Sequence, residues 1–193
     1  MRELLGGAKD PMQPAKRGEQ GVSLVIFDRD GTLIEDTGYP IDPDRLIWKQ
    51  GALKLLSWLR ARGTIVTVAT NQSGVARGYF TLEQVHAFHT AMDSQIKSTG
   101  GRIDAYAICP HLPNGRIAQY AVTCDCRKPQ PGLIKQLLAQ FQVEPQSAIM
   151  IGDRETDVLV GKAATVASYL FEGGDLFEFT RCAVSGIYID KTA

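Results

Sequence analysis

The run Val22-Ser23-Leu24-Val25-Ile26-Phe27-Asp28 is apolar almost throughout and ends in an acid. A strand with one solvated face would alternate apolar and polar residues, so this continuous run predicts a parallel strand that is buried on both faces. The residues that follow it, Arg29-Asp30-Gly31-Thr32, are polar or small. The chain therefore begins its ordered part with a core strand whose carboxyl end carries charged groups.

The same pattern recurs along the chain, with helical patterns between the strands. Apolar and β-branched runs predict four more strands, at residues 64–70, 103–109, 148–151 and 167–171. Apolar stripes predict helices at 52–62, at 81–96 behind the capping box Thr81–Gln84, and at 131–141, with a short helix before the fifth strand. Alternating strands and helices predict an α/β fold with a Rossmann-like, doubly wound parallel sheet.

Length and charge exclude several classes of protein. The 193 residues suit one domain, and 21 Lys+Arg balance 21 Asp+Glu. A net charge of zero argues against nucleic acid or an anionic membrane as partner, and no apolar run reaches the roughly 18 residues of a membrane span. Residues 1–21 lack a strand or helix period, so we expect a loose N-terminal arm before a single domain at 22–193. We also expect a monomer, and we expect a cytoplasmic location because no signal peptide pattern is present.

Polar residues at the predicted strand ends form a candidate active site. Ligands bind beyond the carboxyl ends of the strands in such sheets, where Asp28 and Asp30 follow the first strand and Thr70 ends the second. Two carboxylates this close can act as nucleophile and proton donor. Asp28 and Asp153, which follows the fourth strand, offer the oxygen ligands that Mg2+ takes. Thr70 and Lys128 would then hold phosphoryl oxygens. The alternative is an ordinary turn and a solvated lysine.

A second motif concerns the cysteines, three of which lie in Cys109-Pro110-His111 and Cys124-Asp125-Cys126. Three thiolates and one imidazole make a closed tetrahedral zinc site without an open position for catalysis, so the pattern predicts a structural Zn2+. Disulfides fit less well, because an odd number of cysteines leaves one thiol over. The alternative is a set of ordinary cysteines beside a surface histidine.

Four motifs in order resemble the haloacid dehalogenase (HAD) phosphatase superfamily: Asp28-x-Asp30-Gly31-Thr32, Thr70, Lys128 and Gly152-Asp153-x-x-x-Asp157. The resemblance implies that Asp28 attacks phosphorus to form an aspartyl-phosphate. It implies that Asp30 moves the proton and ligates Mg2+ through its backbone carbonyl, and that Lys128 pairs with Asp28. Asp157 is implied to support the metal site without binding the ion directly. Too few residues separate the motifs for a large cap domain.

The zinc pattern followed by Arg127-Lys128-Pro129 is similar to the histidinol-phosphatase-related group of that superfamily. The run from Thr70 to Gly78 and the long zinc spacer favour its branch that acts on D-glycero-D-manno-heptose 1,7-bisphosphate. This resemblance implies removal of the 7-phosphate from a small phosphorylated sugar. We expect Asn71, Arg77 and Arg127 to bind substrate. Hydrolysis of histidinol phosphate is the alternative, followed by a DNA-end 3′-phosphatase and an inert binding module.

Two positions depart from the pattern of the family, and two histidines remain to be interpreted. Pro40 follows Tyr39 where the heptose enzymes usually carry Val, in a loop expected to line the pocket, and the turn Ala164-Thr165-Val166 lacks the expected glycine. His86 and His89 lie one turn apart on the predicted helix 81–96. Because no acid or thiol motif joins them, we expect them to be solvated or packed.

Overall fold

The computed structural model describes residues 21–186, in which five parallel strands form one sheet in the order β3-β2-β1-β4-β5. The strands are β1 Leu24–Phe27, β2 Ile65–Asn71, β3 Ala105–Cys109, β4 Ala148–Gly152 and β5 Ala167–Leu170. The helices of this part are α1 Ala52–Ala61, α2 Gly74–Arg77, α3 Leu82–Ser98, α4 Gly132–Phe141, α5 Glu155–Ala163 and α6 Leu176–Val184. The predicted doubly wound α/β fold is confirmed.

Side chains of the central strand alternate between two hydrophobic cores. Val25 and Phe27 belong to a core that α1, α3 and α6 cover, whereas Leu24 and Ile26 belong to a core that α4 and α5 cover. All four side chains are fully buried. Both faces of β1 are thus shielded by helices, which is why its sequence shows no alternation of apolar and polar residues.

The chain order places a crevice between β1 and β4. From β1 the chain adds β2 and then β3 on one side, and it then crosses to the other side of β1 to form β4 and β5. Helices that follow β1 and β4 lie on opposite faces of the sheet, so the loops leaving these two strands diverge. Ligands of doubly wound folds bind at this point, where Asp28 and Asp153 follow their strands.

Two α-helices of the described range were not predicted. Helix α2 has a single turn, which is too short to produce an apolar stripe. Helix α6 begins after Asp175, whose side chain accepts hydrogen bonds from the backbone N–H groups of Phe177 and Glu178. That capping acid and the apolar residues behind it were a readable signal that the sequence interpretation missed. The turn without glycine holds Thr165 at φ +60°, in the left-handed region.

Connections in the described range 21–186 are loops and short helices, and no large cap domain occurs there. The predicted N-terminal arm lies outside the described residues apart from Gly21, as do residues 187–193 of the predicted domain. None of the helices between residues 21 and 186 is both long and apolar enough to cross a bilayer.

Candidate active site

Lys128 lies at the centre of the site, buried between two carboxylates. Its Nζ is 2.8 Å from Asp28 Oδ1 and 2.6 Å from Asp157 Oδ1. Burial alone would lower the pKa of Lys128, but the charges of Asp28 and Asp157 more than offset this and raise it. The lysine is therefore a fixed positive charge beside the Asp28 carboxylate.

Asp153 faces the same space from the end of β4. Thr32 Oγ1 donates to Asp153 Oδ1 at 3.1 Å, and burial, together with the charge of Asp28, raises the pKa of Asp153. Gly31 has φ +86°, and a Cβ there would collide with the Asp153 carboxylate, so glycine is required on both counts. One carboxylate oxygen from each of Asp28, Asp153 and Asp157 lies within 4.8 Å of the others, a set of hard ligands suited to a divalent cation.

Asp30 is held by three hydrogen bonds. Arg29 Nε donates to Asp30 Oδ1 at 2.7 Å and Arg29 Nη2 donates to Oδ2 at 3.0 Å. Gln72 Nε2 donates to Asp30 Oδ2 at 2.9 Å and to Thr70 Oγ1 at 2.8 Å, which links two of the predicted catalytic residues. Burial raises the pKa of Asp30, although Arg29 opposes this. A raised pKa suits a carboxyl group that donates a proton near neutral pH.

Asn71 holds the backbone of Lys128. Asn71 Oδ1 accepts from Lys128 N at 3.0 Å, and Asn71 Nδ2 donates to Lys128 O at 3.1 Å. This pair of bonds joins the carboxyl end of β2 to the segment that carries the buried lysine. Asn71 lines the pocket as predicted, but its amide already binds the protein backbone.

The cysteine and histidine side chains predicted to bind zinc converge. Among Cys109, His111, Cys124 and Cys126, four pairs of sulfur and Nδ1 atoms are 3.2–3.8 Å apart, and one such atom of each residue lies within 4.8 Å of the others. A tetrahedral ion with bonds of about 2.0–2.3 Å needs ligand atoms about 3.3–3.8 Å apart. Of the four distances, that of 3.2 Å between the sulfurs of Cys124 and Cys126 is the one below this range. Burial raises the pKa of Cys109 and Cys126, whereas hydrogen bonds, first from Cys126, lower that of Cys124 despite its burial; a cation would let all three thiols ionise together. The four residues fit a structural metal.

A cavity of about 350 Å³ opens above the carboxylates and Lys128. Its rim includes Arg127, which donates from Nη1 to the backbone oxygen of the metal-cluster residue His111 at 3.1 Å. Arg154 lies on the opposite loop and is paired with Asp36, Nη2 to Oδ2 at 2.8 Å. Tyr39, in the left-handed region at φ +58°, also lines the cavity.

The structure brings most of the predicted catalytic and substrate-binding residues together around one cavity. Asp153 is not among the residues that line it, but one of its carboxylate oxygens lies within 4.8 Å of those of Asp28 and Asp157 beside the cavity. Arg77, which ends helix α2, is not among the residues that line it. Sequence reasoning did not single out the roles of Arg29, Gln72 and Arg154. Their positions beside motif residues were a signal, but the direction of each side chain depends on the tertiary fold.

Comparisons with known proteins agree with this geometry. The Hydrolase_like family, described as HAD-hydrolase-like, matches residues 125–176. The chain is 39% identical over 169 residues to the D-glycero-beta-D-manno-heptose-1,7-bisphosphate 7-phosphatase of Rhodopseudomonas palustris, covering 83% of this chain and 94% of that protein. It is 37% identical over 142 residues to the protein of the same name from Pasteurella multocida, covering 74% and 77%.

A solved structure is similar as well. The D,D-heptose 1,7-bisphosphate phosphatase from B. bronchiseptica, complexed with magnesium and phosphate, superposes with a TM-score of 0.71 at 31% identity. The match covers 83% of this chain and 86% of that one.

Proposed function

The chain belongs to the family of HAD-like phosphatases that includes the D-glycero-beta-D-manno-heptose-1,7-bisphosphate 7-phosphatases, and we propose that it shares their reaction. It would be a Mg2+-dependent phosphomonoesterase that removes the 7-phosphate from the heptose bisphosphate. The observation that carries this proposal is the convergence of Asp28, Asp30, Thr70 and Lys128 on one cavity.

In the proposed mechanism Asp28 attacks phosphorus and forms an aspartyl-phosphate. Lys128, 2.8 Å from Asp28 Oδ1, holds the carboxylate in place and offers positive charge to the phosphoryl oxygens. Asp30 gives a proton to the leaving sugar oxygen and then takes one from the water that hydrolyses the intermediate. The Thr70 hydroxyl, positioned by Gln72, donates to a phosphoryl oxygen.

The carboxylates fit the proposed Mg2+. Asp28 and Asp153 would hold the ion through side-chain oxygens, and Asp30 through its backbone carbonyl. The two oxygens of Asp157 already accept bonds from Lys128 Nζ and from the backbone N–H of Arg154, which supports an indirect role for Asp157. When bound, Mg2+ would neutralise phosphate charge and orient the phosphoryl group.

A structural Zn2+ is proposed for Cys109, His111, Cys124 and Cys126. Its site is two residues from Lys128 along the chain, and Arg127 joins the two through its bond to His111. The ion would therefore fix the segment that delivers Lys128 and Arg127 to the cavity. The donor spacing described above supports this assignment.

The charges at the rim favour a bisphosphate over histidinol phosphate. A second phosphate would meet Arg127, which lines the cavity and donates to a backbone oxygen, not to a carboxylate. A cationic substrate would need free acids, but Glu35 is paired with Lys49 at 2.6 Å and Asp36 with Arg154. We propose Arg127 as a ligand of the distal phosphate and Asn71 as the residue that positions Lys128. For Arg77, which lies outside the cavity lining, we propose no contact with the reacting group.

Initial rates of phosphate release would test the proposal on heptose 1,7-bisphosphate, histidinol phosphate and a 3′-phosphorylated oligonucleotide. We expect the highest kcat/KM on the bisphosphate, reversible loss of turnover on chelation of Mg2+, and no turnover for Asp28→Asn. A higher kcat/KM on histidinol phosphate would favour the alternative substrate. Near-normal turnover by Asp28→Asn would exclude the covalent mechanism.

We further propose that residues 22–193 act as one catalytic domain, as a monomer and without nucleic acid. A cytoplasmic location is proposed because the thiols of the zinc cluster must stay reduced. Size-exclusion chromatography with light scattering tests the monomer directly.

A further inference from the structure

Asp30 is hydrogen-bonded to a buried network of side chains that takes no direct part in the proposed reaction. Arg29 is fully buried, with a relative exposure of 0%. Its guanidinium reaches both oxygens of Asp30, and it also donates from Nη2 to the backbone oxygen of Pro40 at 3.1 Å. The guanidinium lies 5.0 Å from the centre of the Phe88 ring. A charge placed this deep needs partners on every side.

His89 completes the surroundings of Arg29. Its Nε2 is 3.1 Å from Arg29 Nη1. A guanidinium has no acceptor, so Nε2 must accept and the ring must be neutral with its proton on Nδ1. Burial and the neighbouring positive charge lower the pKa of His89 to about 3, which keeps the ring neutral.

The position of His89 is itself fixed. Its ring stacks on Tyr106 with centroids 4.1 Å apart, and Tyr106 Oη donates to Asp93 at 2.8 Å. His89 Nδ1 finds no hydrogen-bond partner among residues 21–186. A buried donor without a partner costs about 1–3 kcal/mol, a cost that an apolar ring in the same space would avoid. Packing alone therefore does not explain a histidine here.

From these contacts we propose that Arg29 and His89 are positioning residues for Asp30. His89 fixes the plane of the guanidinium through Nη1, and the guanidinium then holds both oxygens of Asp30 at the angle needed for proton transfer. The Pro40 carbonyl ties the same guanidinium to the loop that lines the cavity. This inference rests on the proposed role of Asp30 as the acid and base of the reaction.

The test is a double-mutant cycle on the full chain with p-nitrophenyl phosphate and Mg2+. His89→Phe keeps a ring on Tyr106 but removes the acceptor, and we expect kcat to fall about 10- to 100-fold with KM almost unchanged. His89→Gln retains an acceptor and should recover most of the loss. His86→Phe, on the exposed face of the same helix, is the matched control and should behave as the starting protein.

The decisive comparison is made in an Asp30→Asn background. If His89 acts through Asp30, His89→Phe should change the residual kcat there by less than about twofold. An equal loss in both backgrounds, or no loss in either, would overturn the proposal. Should His89→Phe fail to fold, Arg29→Lys keeps the charge, loses the two-oxygen contact and should show the same dependence on Asp30. Wild-type turnover by Asp28→Asn would instead refute the proposed function.

Discussion

His89→Phe should make the protein less sensitive to acid. In the folded protein the pKa of His89 is lowered from 6.5 to about 3, first by burial and then by the charge of Arg29. Below pH 6.5 the unfolded chain therefore binds a proton at this ring that the folded chain does not. Stability is lost progressively as the pH falls from 6.5 towards 3.

The size of this effect follows from the two pKa values. Between pH 7 and pH 5 the titration of His89 alone should remove about 2 kcal/mol of unfolding free energy, since one pKa unit corresponds to about 1.4 kcal/mol. Phenylalanine does not titrate, so His89→Phe should lose about 2 kcal/mol less than the starting protein over this interval. Effects of the new side chain on packing are the same at both pH values and cancel in the difference.

Urea unfolding at pH 7 and pH 5, followed by circular dichroism, measures how much unfolding free energy each protein loses between the two pH values. His86→Phe is the control, because His86 is exposed on the same helix and its charge is the smallest of the three causes that lower the pKa of His89, so most of the pH dependence should remain. An equal fall in stability for His89→Phe and the starting protein would refute the neutral, buried state of His89.

Three other substitutions test separate parts of the site. Lys128→Met leaves Asp28 and Asp157 without their buried cation, so the free energy of unfolding, measured in urea at pH 7, should fall by about 3–5 kcal/mol. An unchanged urea midpoint would contradict the buried pairing. Cys124→Ser should lower bound zinc from about one ion per chain, as measured by elemental analysis, and reduce kcat through the neighbouring lysine. Zinc-free starting protein prepared without chelators would count against the cluster. Arg127→Ala should cost about 1.5–3 kcal/mol in kcat/KM on the bisphosphate and much less on p-nitrophenyl phosphate; equal losses would place Arg127 at the reacting phosphate.

The strands and most α-helices were predictable because buried elements leave a recognisable pattern of apolar residues in the sequence. All five strands lie at the predicted places, and Thr81 caps helix α3 with Gln84 as expected. Strand β1 is shorter at both ends than the run that predicted it, although the backbone N–H groups of Ser23 and Asp28 still donate to Ser147 and Ile151. Helix α6 could have been predicted from its capping acid Asp175, whereas the core that its apolar face covers is built by distant residues and could not.

For the site, the sequence predicted which residues carry the chemistry better than it predicted how they are held. The carboxylates and Lys128 follow strand ends, and parallel strands bring their ends to one edge. Nothing in a linear spacing shows that Gln72 bridges Thr70 and Asp30, or that Asn71 binds the backbone of Lys128. His89 was expected to be packed or solvated; it is packed, but against a charge contributed from 60 positions earlier in the chain.

Because two hydrogen bonds with the Asn71 amide hold Lys128 in place, the segment of residues 112–123 between the metal-binding pairs could be exchanged. Its outgoing end is fixed by β3 and Cys109, and its returning end by Cys126 and the Asn71 amide. Lengthening a surface loop adds only about 0.6 kcal/mol of closure entropy per doubling. Inside the segment, the backbone N–H groups of Arg116 and Ile117 donate to the Ala76 oxygen at 2.7 and 3.0 Å. Segments of other lengths and compositions that keep this contact with helix α2 could therefore be grafted between residues 112 and 123 without displacing Lys128. The metal-binding pairs and the Asn71 amide thus isolate Lys128 from this segment, so a library confined to those twelve positions could vary the surface beside the cluster in a constant catalytic background.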